Sequence, residues 1–146
     1  MAIMSDFFTA APDQITRELV QTGPHGTVPV IAVTSFTTLE MALLLHVVRG
    51  GRLDTGDDAV AGMDEFEDLF VGGPEGPWQS KFPPVLRDAL AAASASELAD
   101  YAGRWAEAEE LAGMDQETVR SLLRDLGNLA RSAQADGRDL YLWVSL

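Results

Sequence analysis

The closing heptapeptide, Leu140-Tyr141-Leu142-Trp143-Val144-Ser145-Leu146, constrains the fold more than any other stretch of the chain. In extended form it puts Leu140, Leu142, Val144 and Leu146 on one face and Tyr141 and Trp143 on the other. A strand apolar on both faces has to be covered on both sides or lie centrally in a small sheet. The segment feeding it is the most strongly periodic in the sequence. Val119, Leu122, Leu123, Leu126, Leu129, Ala130 and Ala133 recur at helical spacing. Asp115 stands at the expected N-cap, and Gly137 where a left-handed residue ends such a helix. The end of the chain therefore reads as a long amphipathic helix delivering a buried strand.

Other elements follow from the same rules. Ile3–Thr9 reads as a first strand and the β-branched Val28–Thr34 as a second. Between them Pro12 opens a short helix that ends at Gly23-Pro24-His25-Gly26. Thr37 and Glu40 have capping-box spacing, and the helix they start, ending at Gly50-Gly51, is apolar on nearly all sides. A helix of that kind belongs in the interior. Pro83-Pro84 opens another helix, and Ser94 with Glu97 makes a second capping box ahead of Leu98, Tyr101, Ala102 and Trp105. The spacing of Met63, Phe66, Leu69 and Phe70 predicts one further short amphipathic helix, followed by a loop over 72–77 that Trp78 anchors. The expectation is a single α+β domain over residues 1–146, with a small mixed sheet of about three strands packed by five or six helices.

Charge excludes several functions. The 146 residues hold 23 Asp and Glu against 10 Lys and Arg, a net charge of −13. Such a surface repels nucleic-acid backbone and anionic membrane alike and favours basic protein partners or cations. The longest apolar run, near Met41 to Val48, is too short to span a bilayer. Without cysteine, a disulfide framework and thiolate chemistry are both excluded. The N-terminal residues lack a signal-peptide pattern, so a cytoplasmic location is expected.

From Gly76 onward a pattern emerges: Gly76-Pro77-Trp78, Leu86-Arg87-Asp88-Ala89-Leu90, Arg104-Trp105-Ala106 with Glu109-Glu110, and the closing Leu-Tyr-Leu-Trp-Val-Ser-Leu. It resembles a group of small actinobacterial proteins without an assigned activity. More distantly, the order of an early Phe-rich strand, a very apolar helix ending at Gly50 and a helix feeding a last strand is similar to the YfbM-like family. Neither resemblance implies a catalytic residue.

The candidates for chemistry are few. His46, on the apolar helix, and His25, in the Pro-His-Gly turn, are the two histidines. Either one, with a nearby carboxylate, would suit a small hydrolase or isomerase. Residues 53–80 contain no Lys or Arg but many carboxylates. The spacing of Asp54, Asp57 and Asp58 departs from a calcium loop, so no metal site and no cofactor is expected. The preferred reading is a non-enzymatic interaction domain, immunity- or inhibitor-like, that binds a basic partner. Its surface comprises Asp57, Asp58, Asp64, Glu65, Phe66, Glu67, Asp68 and Phe70. A homodimer is a further possibility if the C-terminal strand lies at a sheet edge.

Overall fold

The protein is described from a computed structural model over residues 3–11, 13, 15, 30–34, 36–51, 61–69 and 77–145. Strand β1 (Met4–Ala10) is followed by β2 (Val30–Thr34) and helix α1 (Thr38–Val48). A 3-10 turn (Ala61–Glu65) leads into β3 (Glu67–Leu69), then β4 (Trp78–Lys81). Helices α2 (Pro84–Ala92) and α3 (Ala95–Trp105), a 3-10 turn (Glu109–Leu111), α4 (Gln116–Asp136) and β5 (Asp139–Ser145) complete the chain.

The strands form one five-stranded sheet in the order β2-β1-β5-β4-β3, with every pairing antiparallel. The α+β class is as expected, but the small mixed sheet of about three strands is corrected. The two added strands are short and polar: β4 is Trp-Gln-Ser-Lys and β3 is Glu-Asp-Leu. Neither has the apolar alternation that announces a strand, and both are held by backbone pairing to a neighbour. Four α-helices lie among the described residues, where five or six were expected. Over 63–69 the predicted helix is instead a 3-10 turn leading through Phe66 into β3, and Phe70 lies outside the described residues. The predicted Pro12 helix lies outside the described residues.

The helix boundaries expected elsewhere hold, although Asp115 stands at the α4 N-cap without a side-chain capping hydrogen bond. Thr37 accepts a hydrogen bond from the Leu39 amide, and the Thr37 amide donates to the Glu40 carboxylate at 2.9 Å. Ser94 accepts from the Glu97 amide at 3.2 Å while Glu97 accepts from the Ser94 amide at 3.1 Å. Gly137 closes α4 at φ 66°, where any other residue meets a steric penalty. Met41, Ala42, Leu43, Leu44, Leu45 and Val47 of α1 are all buried.

One sheet face carries the main core. Phe7, Leu140, Leu142 and Val144 project from it toward the helices, where they meet Leu86, Leu90, Leu122, Leu123, Leu126 and Trp105. Helix α4 packs against α2 and α3 as well as against β1 and β5. Phe82 is the junction: its ring meets Phe7 and Phe66 edge-on, with centroids 6.0 and 5.5 Å away. Its amide donates to the Leu140 carbonyl at 2.9 Å, extending the β4–β5 ladder. Each such buried side chain contributes roughly 1.5–3 kcal/mol of transfer free energy. The Trp105 indole is fully buried, and its N–H donates to the Glu40 carbonyl at 2.9 Å, so the ring adds no unmet donor.

Phe82→Ala removes the ring that joins Phe7 to Phe66 within the main core and leaves a cavity. The expected loss is about 3–5 kcal/mol of unfolding free energy, measured by denaturant titration. A loss under about 1 kcal/mol contradicts this account of the core.

Candidate functional site

Strand β2 and the first turns of α4 face each other across a groove of about 690 Å³. Ile31, Ala32 and Val33 form one wall, and Met114, Thr118, Ser121 and Leu122 form the other, with Phe36 also lining the groove. Gly113, Asp115, Glu117 and Asp125 complete the described lining, and among the described residues no Lys, Arg or His belongs to it.

Local sequence explains both walls. In β2, Ile31 and Val33 point toward the helical layer, where they pack against the main core, while Ala32 is exposed. In α4, positions 117, 121 and 125 share one face at i, i+4 spacing, with 118 and 122 beside them. Ser5 ties the end of β2 to β1: its hydroxyl donates to the Phe36 carbonyl at 2.6 Å and accepts from the Phe36 amide at 3.0 Å.

The carboxylates are only weakly neutralised. Arg120 lies 3.7 Å from Glu117 and Arg124 lies 3.9 Å from Asp125, and all four side chains are exposed. Surface pairs of this kind are worth about 0–1 kcal/mol. Asp115 and Glu117 also sit at the positive end of the α4 dipole, so part of their placement serves the helix itself. Asp125 lies beyond that end's reach. Upstream, Glu107, Glu109 and Glu110 are exposed, and no Lys or Arg occurs between Trp105 and Val119.

Asp57, Asp58, Phe70 and His25 lie outside the described residues. Asp64 and Glu67 are exposed. Glu65 is engaged by Arg49, whose second guanidinium nitrogen donates to it at 2.6 Å. That hydrogen bond, aided by the Arg49 charge, holds the Glu65 carboxyl below its ordinary value. Asp68 accepts from the Ser80 hydroxyl at 3.0 Å. Phe66, expected as an exposed anchor, is only 4% exposed and belongs to the main core beside Phe82. Its helix does not exist; the 3-10 turn aims the ring inward.

His46 is half-buried near the end of α1 and does not line the groove. Its imidazole lies against Gly51, where an added Cβ would come within 2.2 Å of Nε2. The Gly51 carbonyl accepts from Arg104 at 3.1 Å, so this corner is knitted to α3. Among the described residues no cluster of three or more His, Asp or Glu is placed to share a metal ion. Among the same residues no helix is long and apolar enough to cross a membrane.

The opposite sheet face carries Phe8, Ala10, Tyr141 and Trp143, with Phe8 and Tyr141 stacked at 5.3 Å. In register, Asp6, Trp143 and Gln79 form a row across β1, β5 and β4. Asp6 and Gln79 are fully buried, and among the described residues neither amide atom of Gln79 meets a hydrogen-bond partner. A buried unmatched polar group costs about 1–3 kcal/mol. Sequence reasoning missed this row because β4 itself was not foreseen.

Comparison with protein-family models, with curated proteins and with solved structures returned no match for this chain.

Two predictions follow from this chemistry. Burial pushes the Tyr141 hydroxyl up to about 12, with the Asp139 and Glu67 charges adding to it. Unfolded tyrosine ionises near pH 10, so the stability contributed by keeping Tyr141 neutral is complete below about pH 10 and lost between about pH 10 and 12. In an ultraviolet titration one of the two tyrosines should ionise near pH 12, and Tyr141→Phe should abolish that phase. If both ionise near pH 10, the packing of this face is wrong. Separately, Gln79→Met replaces an unmatched amide by an apolar group of similar volume. Stability should hold or rise by about 1 kcal/mol in denaturant titration; a drop of about 2 kcal/mol would mean that the amide is satisfied.

Proposed function

We propose that this chain is a non-enzymatic interaction domain, immunity- or inhibitor-like, that works in the cytoplasm by docking a basic protein partner. The observation that carries the reading is the β2–α4 groove: a largely apolar lining edged by Asp115, Glu117 and Asp125, with no Lys, Arg or His among the described lining residues. Apolar contact area supplies the affinity, and the weakly neutralised carboxylates steer the encounter and select against acidic competitors. The exposed glutamates 107, 109 and 110 extend the same negative field.

The docking surface is thereby moved from the 57–70 region to the groove. Around Asp64 the described carboxylates are partly engaged by Arg49 and Ser80, and the one described aromatic there is buried. No observation favours a hydrolase or isomerase built on His46. The likeness of the C-terminal half to the small actinobacterial group, and the weaker one to the YfbM-like family, are part of the proposal and add no residue to the site.

The test is capture from source lysate at low salt and at about 0.5 M salt, where the screening length falls to a few ångströms. Wild type should retain proteins more basic than the lysate average and release them at high salt. The triple variant Asp115→Asn, Glu117→Gln, Asp125→Asn should lose at least about tenfold of that capture, a modest 1.4 kcal/mol for three charges. Asp64→Asn with Glu67→Gln should change it little. Retained proteins no more basic than background, or capture indifferent to salt, contradict the reading.

A further inference from the structure

Resting on the reading of the groove as a docking surface, we propose that its occupant is an extended, Lys- or Arg-bearing segment of the partner, added to the sheet as a strand along the outer edge of β2. Among the described residues β2 is hydrogen-bonded on one side only, to β1. An edge strand presents a row of unpaired N–H and C=O groups, a template for another chain.

The two edges of this sheet are not alike. At the far edge, β3 is three residues long and carries Glu67 and Asp68. A short, charged edge is a poor template and is how folds guard against stray pairing. At the near edge, β2 reads Val-Ile-Ala-Val-Thr, with no charge and no proline. β-branched residues of that kind suit an extended partner laid alongside.

The groove runs beside this edge, since Ile31, Ala32 and Val33 line it. Side chains of an added strand alternate between the two sheet faces. Those on the helical face enter the groove against Phe36 and Leu122; the longer ones reach Asp115, Glu117 and Asp125 at its rim. Five residues of β2 offer roughly 17 Å of pairing, at about 3.4 Å per residue. A groove of 690 Å³ admits a few side chains and not a folded domain.

A second copy of this chain is the rival occupant. Pairing β2 to β2 brings two identical sets of rim carboxylates together in a chain of net charge −13. Like charges facing one another are costly, whereas a basic strand relieves the same field. The charge pattern therefore selects a foreign, basic segment.

The experiment uses the full chain and a labelled peptide of alternating Lys and Val, nine residues long. Two further versions carry N-methyl groups on alternate residues, one in each register, and a fourth is a helix-favouring Lys/Leu/Ala peptide of equal charge. An added strand bonds through every second amide only. The unmodified peptide should bind, one N-methylated version should lose at least about tenfold, and the other should bind nearly as the parent does. The helical peptide should bind at least tenfold more weakly. Equal binding by the parent and both N-methylated versions, with loss in the Asp115→Asn, Glu117→Gln, Asp125→Asn variant, would sink strand addition and leave the groove reading standing. Binding that ignores that triple variant, or no binding by any peptide at low salt, would overturn both. Sedimentation showing a dimer that the parent peptide dissociates would make a second copy the occupant and overturn the choice of a basic segment.

Discussion

Strand β5 is buried on both faces, and the rest of the structure is registered against it. Leu140, Leu142 and Val144 enter the helical core while Tyr141 and Trp143 belong to the second face. Its backbone pairs with β1 on one side and β4 on the other. A strand with no free face and no free edge has no tolerance for register slip, because a one-residue shift exchanges every side chain between faces. It is also the strand that α4 delivers, through the left-handed turn at Gly137. The long helix and the central strand therefore fix each other's position.

From that constraint the groove follows. With β5 central, β1 pairs outside it and β2 is driven to the edge. Helix α4 crosses above β1 and β5 and brings its first turns over the flank where β2 ends the sheet. The space between them is lined by whatever α4 carries near its N-terminus, and that region is rich in carboxylates. A helix start attracts negative charge for its own stability. The same preference furnishes the rim of a surface suited to cationic side chains. The homodimer expected from an edge position of β5 loses its basis, because β5 has neighbours on both sides.

Legibility in the sequence divided along physical lines. Helices α1 to α4 were readable because each carries its own signal: capping pairs at Thr37/Glu40 and Ser94/Glu97, Pro84 in a first turn, and a long apolar stripe in α4. β1, β2 and β5 were readable from β-branched or two-sided apolar content. β3 and β4 were not, since Glu67-Asp68-Leu69 and Trp78-Gln79-Ser80-Lys81 owe their extended form to partners distant in sequence. The apolar spacing of Met63, Phe66 and Leu69 fitted a helix equally well, and only the inward turn of Phe66 onto Phe82 decides against it. The acidic run from Glu107 to Glu117 was as visible as the one at 54–75. Its value came from β2 lying opposite, a fact of topology that no local pattern contains.

The account rests on β2 having an open outer edge beside a firmly held β5. Amide hydrogen exchange on the free protein, resolved by residue, tests that directly. The amides of β5 should exchange only through global unfolding, at the slowest rates in the sheet. Alternate amides of Val30–Thr34 should exchange orders of magnitude faster than their neighbours within the same strand. Uniform protection across β2, equal to that of β5, would show the edge already covered and contradict the docking surface described here.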